Sequence, residues 1–294
     1  MLLLPLQLLA QFAVSNDFEG EIADSARETS IRDSLNCVEL SNIDFSFSED
    51  VCVLDNIAYV ADAGGGLRIV DVSNLQSPIL VGTYDTGSVN GFMYSLCASS
   101  FIDFDQKSVF VYVADIYEGL LMINVTDPSN PYLQYSYQIG VSPRDVFYID
   151  SMLYMGYDDG LRIFYLDHGY PIFSSHYDTG QIHGLYVKDK IAYIADYNGY
   201  LEIIDVSDGH NPKLKGSFYT GGSPWDVFVK DTIAYVIDET SGLIIINVSD
   251  IENPVRIGNS SFGFSSEGRI FVEGNYAYVG LFSYGLLVFD VIVQ

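Results

Sequence analysis

Basic residues are scarce in this chain. It has 13 Lys and Arg against 39 Asp and Glu among 294 residues, which gives a formal net charge of -26. A surface of that sign repels phosphate backbones, so nucleic acid and anionic membranes are not expected as partners. Cations and basic proteins remain possible partners, and the charge is also consistent with a simple role in solubility.

Residue types that build metal centres and nucleophilic sites are also few. The three Cys (Cys37, Cys52 and Cys97) and the four His lack the spacing of metal ligands. No nucleophile motif of the type G-x-S-x-G is present. We therefore expect the Cys residues to be small buried hydrophobic residues, and we expect no catalysis.

Long hydrophobic runs are absent after the first 15 residues. Residues 1–15 are apolar but too short to span a bilayer, and they end in the small-x-small pattern Ala13-Val14-Ser15. This pattern predicts a signal peptide, although the usual basic n-region is missing. Residues 16–36 are polar and acidic, which predicts a leader before a single domain at 37–294. The mature chain is thus expected to be secreted or displayed at the cell surface, without a transmembrane segment.

What the sequence does have is a repeat rich in aromatic residues. The stretch IAYVADAGGGLRIVDVSNLQSPILVGTYDTG at 57–87 recurs from Phe110, Ile191 and Ile233, with a weaker copy from Met152 and a clipped one from Tyr276. Six copies of one unit identify a repeat protein. The aromatic content of 14% favours strands as the repeated elements.

Each copy contains four short β runs, here named strands A to D, separated by turn residues. Strands B and C are apolar on both sides, as in Leu67–Val70 and Leu243–Ile246, so both sides must be covered. Four-stranded meanders packed face to face around an axis satisfy this requirement. The sequence therefore predicts an all-β fold, a six-bladed β-propeller of four-stranded antiparallel blades.

The last copy stops after its strand C, which would leave an open sheet edge. Residues 37–47 alternate like a strand and lie directly before the first strand A, where a strand D belongs. We therefore predict that this N-terminal strand completes the C-terminal blade and closes the ring.

The second copy is longer than the others. Its segment TGSVNGF at 86–92 matches TGQIHGL at 179–185 without a gap. This match predicts that the extra residues form a long A–B hairpin around 98–108. It also makes Asn90 and Gly91 the equivalents of His183 and Gly184.

The phrases GLRIVDVS, YLEIIDVS and AYVAD, followed by an Asn-Pro or Ser-Pro turn, resemble the LVIVD repeat. This propeller-forming repeat is found in exported and cell-surface proteins of bacteria and archaea. The resemblance covers about 38–291 and is weakest in the third copy, where Tyr165-Leu166-Asp167 replaces Asp-Val-Ser. It implies a propeller and export, and it implies no particular activity.

Aligning the copies sorts the polar residues into levels. The residues that end strand B are mostly Asp before a Gly-rich turn, and we expect these Asp to satisfy backbone N–H groups. They are Asp62, Asp115, Tyr157, Asp196, Asp238 and Leu281.

A second level lies at the start of strand A, near the axis. It consists of Asp50, Gly91, Asp145, Gly184, Asp226 and Arg269. Asp50, Asp145 and Asp226 would converge from alternate blades, and such a set of oxygen ligands suits Ca²⁺. The alternative is that each Asp caps its own loop.

One residue earlier, all six copies differ. The residues are Glu49, Asn90, Arg144, His183, Trp225 and Gly268. Repeats make structural positions alike, so this level predicts a ligand pocket, with Trp225 as an aromatic platform beside Arg144 and Glu49. The alternative is an ordinary variable loop position.

These features predict a secreted or surface-displayed binding or adhesion module that contacts a protein or glycan through its acidic, loop-rich face. One alternative is a Ca²⁺-dependent hydrolase or lactonase built on Glu49, Asn90, Asp145 and Asp226. Another is a structural subunit whose propellers self-associate through their faces.

Overall fold

The computed structural model describes residues 41–43, 45, 48–62, 65–85, 93–103, 106–138, 140–261, 267–281 and 285–291. The described residues form 23 strands and no helix. The strands make six antiparallel sheets, each a meander of strands that are consecutive in the chain. These sheets are the six blades of a β-propeller, as the sequence predicts. The predicted signal peptide and leader lie outside the described residues.

The first three blades use twelve strands. They are β1 (Ser48–Leu54), β2 (Ile57–Asp62), β3 (Gly66–Asp71) and β4 (Ile79–Tyr84) in blade 1, β5 (Met93–Asp103), β6 (Gln106–Asp115), β7 (Gly119–Asn124) and β8 (Tyr132–Tyr137) in blade 2, and β9 (Pro143–Ile149), β10 (Met152–Tyr157), β11 (Gly160–Asp167) and β12 (Tyr170–Asp178) in blade 3.

The last three blades use eleven strands. They are β13 (Ile182–Lys188), β14 (Ile191–Asp196), β15 (Tyr200–Asp205) and β16 (Lys213–Tyr219) in blade 4, β17 (Pro224–Lys230), β18 (Ile233–Asp238), β19 (Gly242–Asn247) and β20 (Val255–Ser260) in blade 5, and β21 (Gly268–Glu273), β22 (Tyr276–Leu281) and β23 (Gly285–Asp290) in blade 6.

The core lies between neighbouring blades and not within one of them. One cluster, for example, joins Tyr59 and Ile69 of blade 1 to Leu96, Val113 and Ile123 of blade 2, and each of these is at most 4% exposed. Similar clusters fill the gaps between each following pair of blades up to blade 6. In blades 2 to 5, strands B and C are therefore covered on both faces, which is why their sequences do not alternate.

Two of the three cysteines belong to this packing. Cys52 and Cys97 are unpaired thiols that contact the apolar clusters beside strands A of blades 1 and 2. Burial raises the pKa of both thiols well above its ordinary value. The described cysteines thus act as small hydrophobic residues, as expected. Cys37 lies outside the described residues.

The register of blade 2 corrects the ungapped match made from the sequence. Ser95 of β5 pairs with Ala114, just as Asp50 of β1 pairs with Ala61. The A–B hairpin is long, as predicted, because β5 continues to Asp103. However, part of the extra length falls before strand A. Ser95, and not Gly91, is therefore the equivalent of Asp50.

Blade 6 has three described strands, and its strand C is less protected than the others. Leu286 is 46% exposed, whereas the equivalent Leu67, Leu120 and Leu201 are completely buried. On the opposite side of the gap, Ile43 and Phe45 pack against an apolar cluster of blade 1. This packing of Ile43 and Phe45 against blade 1 is what the predicted closure requires. That the N-terminal segment completes the ladder of blade 6 remains a prediction.

Candidate functional site

Five of the six strands A contain a β-bulge near the axis. In each, the register shifts by one residue, so that a single side chain has no partner on strand B. The extra residues are Glu49, Tyr94, Arg144, His183 and Trp225, referred to here as the bulge ring. A bulge turns its side chain out of the regular ladder, and bulges occur often beside functional sites. In blade 6 the pairing continues without a shift through Gly268 and Arg269.

The bulge ring contains four of the five residues that the sequence predicts for a ligand pocket. Asn90 lies outside the described residues, and the register places Tyr94 at the level assigned to it. The alignment of the repeats did not find Tyr94, because the ungapped match of segment 86–92 takes no account of the residues inserted before the strand. The pairing of Met93 with Asp115 was the signal needed, and a single sequence does not contain it.

Asp50, Asp145 and Asp226 lie one residue after the bulge on strand A of blades 1, 3 and 5. Each Asp accepts a hydrogen bond from the N–H of the next residue and a second from strand A of the following blade. The donors are Val51 (2.8 Å) and Leu96 (2.9 Å) for Asp50, Val146 (3.0 Å) and Leu185 (2.7 Å) for Asp145, and Val227 (2.9 Å) and Ile270 (2.8 Å) for Asp226. Each carboxylate therefore binds one N–H group of its own strand and one of the next blade, and the three together join blade 1 to 2, 3 to 4 and 5 to 6.

The even-numbered blades carry complementary residues at this level. Ser95 Oγ donates to Asp145 Oδ1 at 2.7 Å. Gly184 leaves space for Asp226, since a Cβ on Gly184 would lie 2.5 Å from the Asp226 Cα. The third such residue is Arg269, whose guanidinium lies 3.5 Å from Asp145 and 3.8 Å from Asp226. The chain itself thus supplies a cation among these carboxylates.

Charge and burial oppose each other in this cluster. Burial raises the pKa of Asp226 to about 7 and also raises that of Asp50, although Arg269 acts in the other direction. Burial would lower the pKa of Arg269, but Asp145, Asp226, Asp50 and Glu49 outweigh it, so that the pKa is raised. No group of three or more His, Cys, Asp and Glu in the described part is arranged to hold a metal. Binding of Ca²⁺ by Asp50, Asp145 and Asp226 stays a prediction.

Arg144, the cation of the bulge ring, is also paired. Arg144 donates from Nε to Asp158 Oδ1 at 2.7 Å, and its guanidinium lies 5.5 Å from the centre of the Tyr94 ring. Gln181 donates to the same Asp158 oxygen at 2.6 Å. Because Asp158 belongs to the B–C loop of blade 3, this network fixes a loop against the bulge ring.

Blades 4 and 5 contribute an aromatic group to the mouth. The His183 ring stacks on Tyr197 at 4.6 Å, and Trp225 meets His183 edge-on at 4.3 Å. Burial, together with Arg144 and Arg269, lowers the pKa of His183 to about 3, so the imidazole is neutral. Within the described residues, His183 Nε2 and Trp225 Nε1 are buried and have no hydrogen-bond partner. Such unsatisfied nitrogens are rare in folded proteins.

Glu49 is the carboxylate of the bulge ring. Burial raises its pKa to about 7, opposed by Arg269 and reinforced by Glu267 and Asp50. Among the described residues it makes no hydrogen bond and no ion pair within 4.0 Å. A partly buried carboxylate without a partner costs stability, and such groups are commonly found at functional sites.

The raised pKa of Glu49 predicts that the stability of the protein depends on pH. A carboxyl group whose pKa is raised by folding stabilises the protein while it is protonated, and this contribution is lost as the pH rises from about 4.5 through about 7. Glu49→Gln is therefore expected to stabilise the protein at pH 8 by about 1 to 3 kcal/mol and to reduce the fall in Tm between pH 5 and pH 8. Thermal melts across this range measure both effects. Glu252→Gln, an exposed control on another loop, should change neither, and a Glu49→Gln protein no more stable than wild type at pH 8 would contradict the prediction.

The Asp residues that end strand B have the structural role predicted for them. Asp115 Oδ1 accepts from the N–H groups of Tyr117 and Glu118, both at 2.9 Å. Asp196 and Asp238 bind the N–H groups of their own turns in the same way. Asp62 forms an ion pair with Arg68 at 3.0 Å. This level shapes the B–C loops around the bulge ring.

Comparison with known proteins agrees with this architecture. A family model for the LVIVD repeat matches residues 47–86, 108–139, 179–220, 221–260 and 267–291, which is more than half of the chain. The matches leave out 140–178, the blade where the sequence departs most from the repeat. None of the curated proteins matches the chain in sequence.

Two solved structures share the fold at low identity. A functionally unknown protein from Desulfotomaculum acetoxidans DSM 771 has a TM-score of 0.63 at 12% identity, over 84% of this chain and 86% of its own. The computationally designed Ika8 protein has a TM-score of 0.58 at 13% identity, over 84% of this chain and 71% of its own. In the part of the chain that the structure describes, no helix is long and apolar enough to cross a membrane.

Proposed function

Since the chain belongs to the LVIVD repeat family, we propose that it is an extracellular or cell-surface binding module that engages a protein or glycan at the mouth of its propeller channel. Residues 1–15, with their pattern of a signal peptide, support export. The propeller supplies a rigid frame, and the bulge ring supplies the contacts.

The bulge ring is the observation that carries this proposal. The same local distortion recurs in five blades, yet the residue it presents is an acid, a phenol, a guanidinium, an imidazole or an indole. A purely structural position in a repeat keeps mostly one residue type, as the level at the end of strand B does, where four of the six residues are Asp. Five different functional groups at one level are what recognition of an asymmetric ligand requires.

The proposal predicts that binding depends on the bulge ring and not on the outer strands of the blades. Peptide and glycan arrays probed with the purified chain should give ligands whose affinity falls at least tenfold in Arg144→Ala and in Trp225→Ala, because interface energy concentrates in Arg and Trp. Tyr132→Ala, on the outer strand of blade 2 where Tyr132 is 50% exposed, is the matched control and should bind normally.

Other results would favour the alternatives. Ligands that bind both mouth variants as well as wild type would contradict the proposal. Turnover on a panel of esters and lactones would favour the hypothesis of a hydrolase. A high-mass species in size-exclusion chromatography, without any array ligand, would favour a structural subunit. Thermal melts of each variant separate a lost contact from lost folding.

A further inference from the structure

The charges of the channel mouth are unevenly satisfied. Arg144 is paired with Asp158, and Arg269 lies between Asp145 and Asp226. Glu49 is the bulge-ring charge that has neither a hydrogen bond nor an ion pair among the described residues. Arg269 acts on Glu49 without a contact within 4.0 Å, so what Glu49 lacks among the described residues is a cation in direct contact. An anionic ligand would meet an unpaired carboxylate there.

The surroundings of Glu49 also suit a cation. Tyr94, the next residue of the bulge ring, already holds the guanidinium of Arg144 over its ring at 5.5 Å. Glu49 and Glu267 lie close enough to Tyr94 to affect its ionisation, and Glu267 also reinforces the negative potential at Glu49. An aromatic ring attracts an ammonium or guanidinium group to its face, and neighbouring carboxylates add to that attraction.

The other half of the mouth points to a peptide as the carrier of this cation. The neutral His183 ring is 7% exposed and its Nε2 has no partner within the described residues, as is true of the neighbouring Trp225 Nε1. The indole N–H needs an acceptor, and the imidazole nitrogen accepts when the proton is on Nδ1. Peptide C=O and N–H groups supply both. Because both nitrogens are buried, the stack of His183, Tyr197 and Trp225 must open to admit a peptide.

We propose that the mouth binds a basic peptide segment, with a Lys or Arg side chain paired to Glu49 beside Tyr94 and the peptide backbone at His183 and Trp225. This inference rests on the proposed function and names its ligand class. The chain's net charge of -26 favours the approach of such a segment from solution.

Trp225 is the only Trp of the chain, so its fluorescence reports directly on this site. Blocked tripeptides Gly-Lys-Gly and Gly-Arg-Gly, titrated into the full chain at pH 8, are expected to cause a saturable change in emission. Gly-Glu-Gly and Gly-Leu-Gly should cause none. Glu49→Gln should weaken binding of the basic peptides at least tenfold, and Glu252→Gln, which removes the same charge from an exposed loop, should not affect it.

Each result decides between the two proposals. No change with the basic peptides, an equal change with Gly-Glu-Gly, or equal binding by Glu49→Gln would overturn the inference of a cationic ligand. If array ligands are then acidic or neutral but still depend on Arg144 and Trp225, the proposed binding function stands without it. Basic peptides that bind without any change in Trp225 emission would place their binding elsewhere and would also overturn the inference, while the array test of the proposed function is unaffected.

Discussion

A chain lacking residues 37–47 is expected to aggregate or to lose about 2 to 5 kcal/mol of its free energy of unfolding. The deletion removes the half-buried Ile43 and Phe45 from the apolar cluster of blade 1, which costs up to about 1.5 to 3 kcal/mol for each side chain, the value for full burial. It also removes the segment predicted to protect the edge of blade 6, where Leu286 is already 46% exposed. Thermal melts and light scattering measure both effects.

A recurring contact supports this expectation. Strand D of one blade meets the C–D loop of the next, as when Ser174 and Ser175 of blade 3 both donate to the Gly209 carbonyl of blade 4. Ser41 donates in the same way to the carbonyl of Leu75, the equivalent loop residue of blade 1, at 2.7 Å. The N-terminal segment thus meets blade 1 as the strand D of a preceding blade would. Deletion of the polar leader 16–36 is the matched control and should leave Tm unchanged, whereas an equally small effect of deleting 37–47 would contradict closure by this strand.

Arg269→Met is expected to lower the free energy of unfolding by about 2 to 3 kcal/mol, below the value for a fully buried pair because the Arg269 side chain is 28% exposed. The substitution keeps most of the side-chain volume but removes the cation from Asp145 and Asp226, and a buried charge left without its partner is strongly destabilising. The loss should be larger at pH 8 than at pH 5, because Asp226, with a pKa of about 7, is protonated at the lower pH.

Chemical denaturation at the two pH values measures the effect of Arg269→Met. Arg256→Met is the charge-matched control, since Arg256 is exposed on β20 and makes no ion pair among the described residues. A loss below about 1 kcal/mol, equal at both pH values, would show that the carboxylates do not need the guanidinium.

Melts in millimolar Ca²⁺ also test the predicted Ca²⁺ site, because an unchanged wild-type Tm would exclude it.

The fold could be predicted because its determinants are local and repeated. Apolar runs such as Leu243–Ile246 require cover on both faces, and six copies with turn residues at similar intervals leave few architectures that supply it. The family model and the six sheets confirm this part of the prediction. The position of strand pairs in blade 2 was wrong because residues inserted on both sides of a strand cannot be located from spacing alone.

The candidate site was predicted only in part, since its chemistry depends on contacts between blades. Alignment of the repeats found Glu49 and Trp225, because a level at which all copies differ is visible in the sequence. It did not reveal that Arg269 faces Asp145 and Asp226, since these residues come from three different blades. Nor could it show that Arg144 is neutralised by Asp158 or that Glu49 is left unpaired, because both facts depend on side-chain geometry.

The hydrogen bonds of Asp50, Asp145 and Asp226 have a consequence for how such a ring can be built. Because each Asp reaches forward to an even-numbered blade, the unit that repeats at the axis is a pair of blades and the inner symmetry is threefold. Six copies of one Asp-bearing blade would crowd six carboxylates together, and a Gly-bearing blade would supply none. A designed ring of this kind would therefore extend in steps of two blades, and blades 3 and 4 are a suitable template.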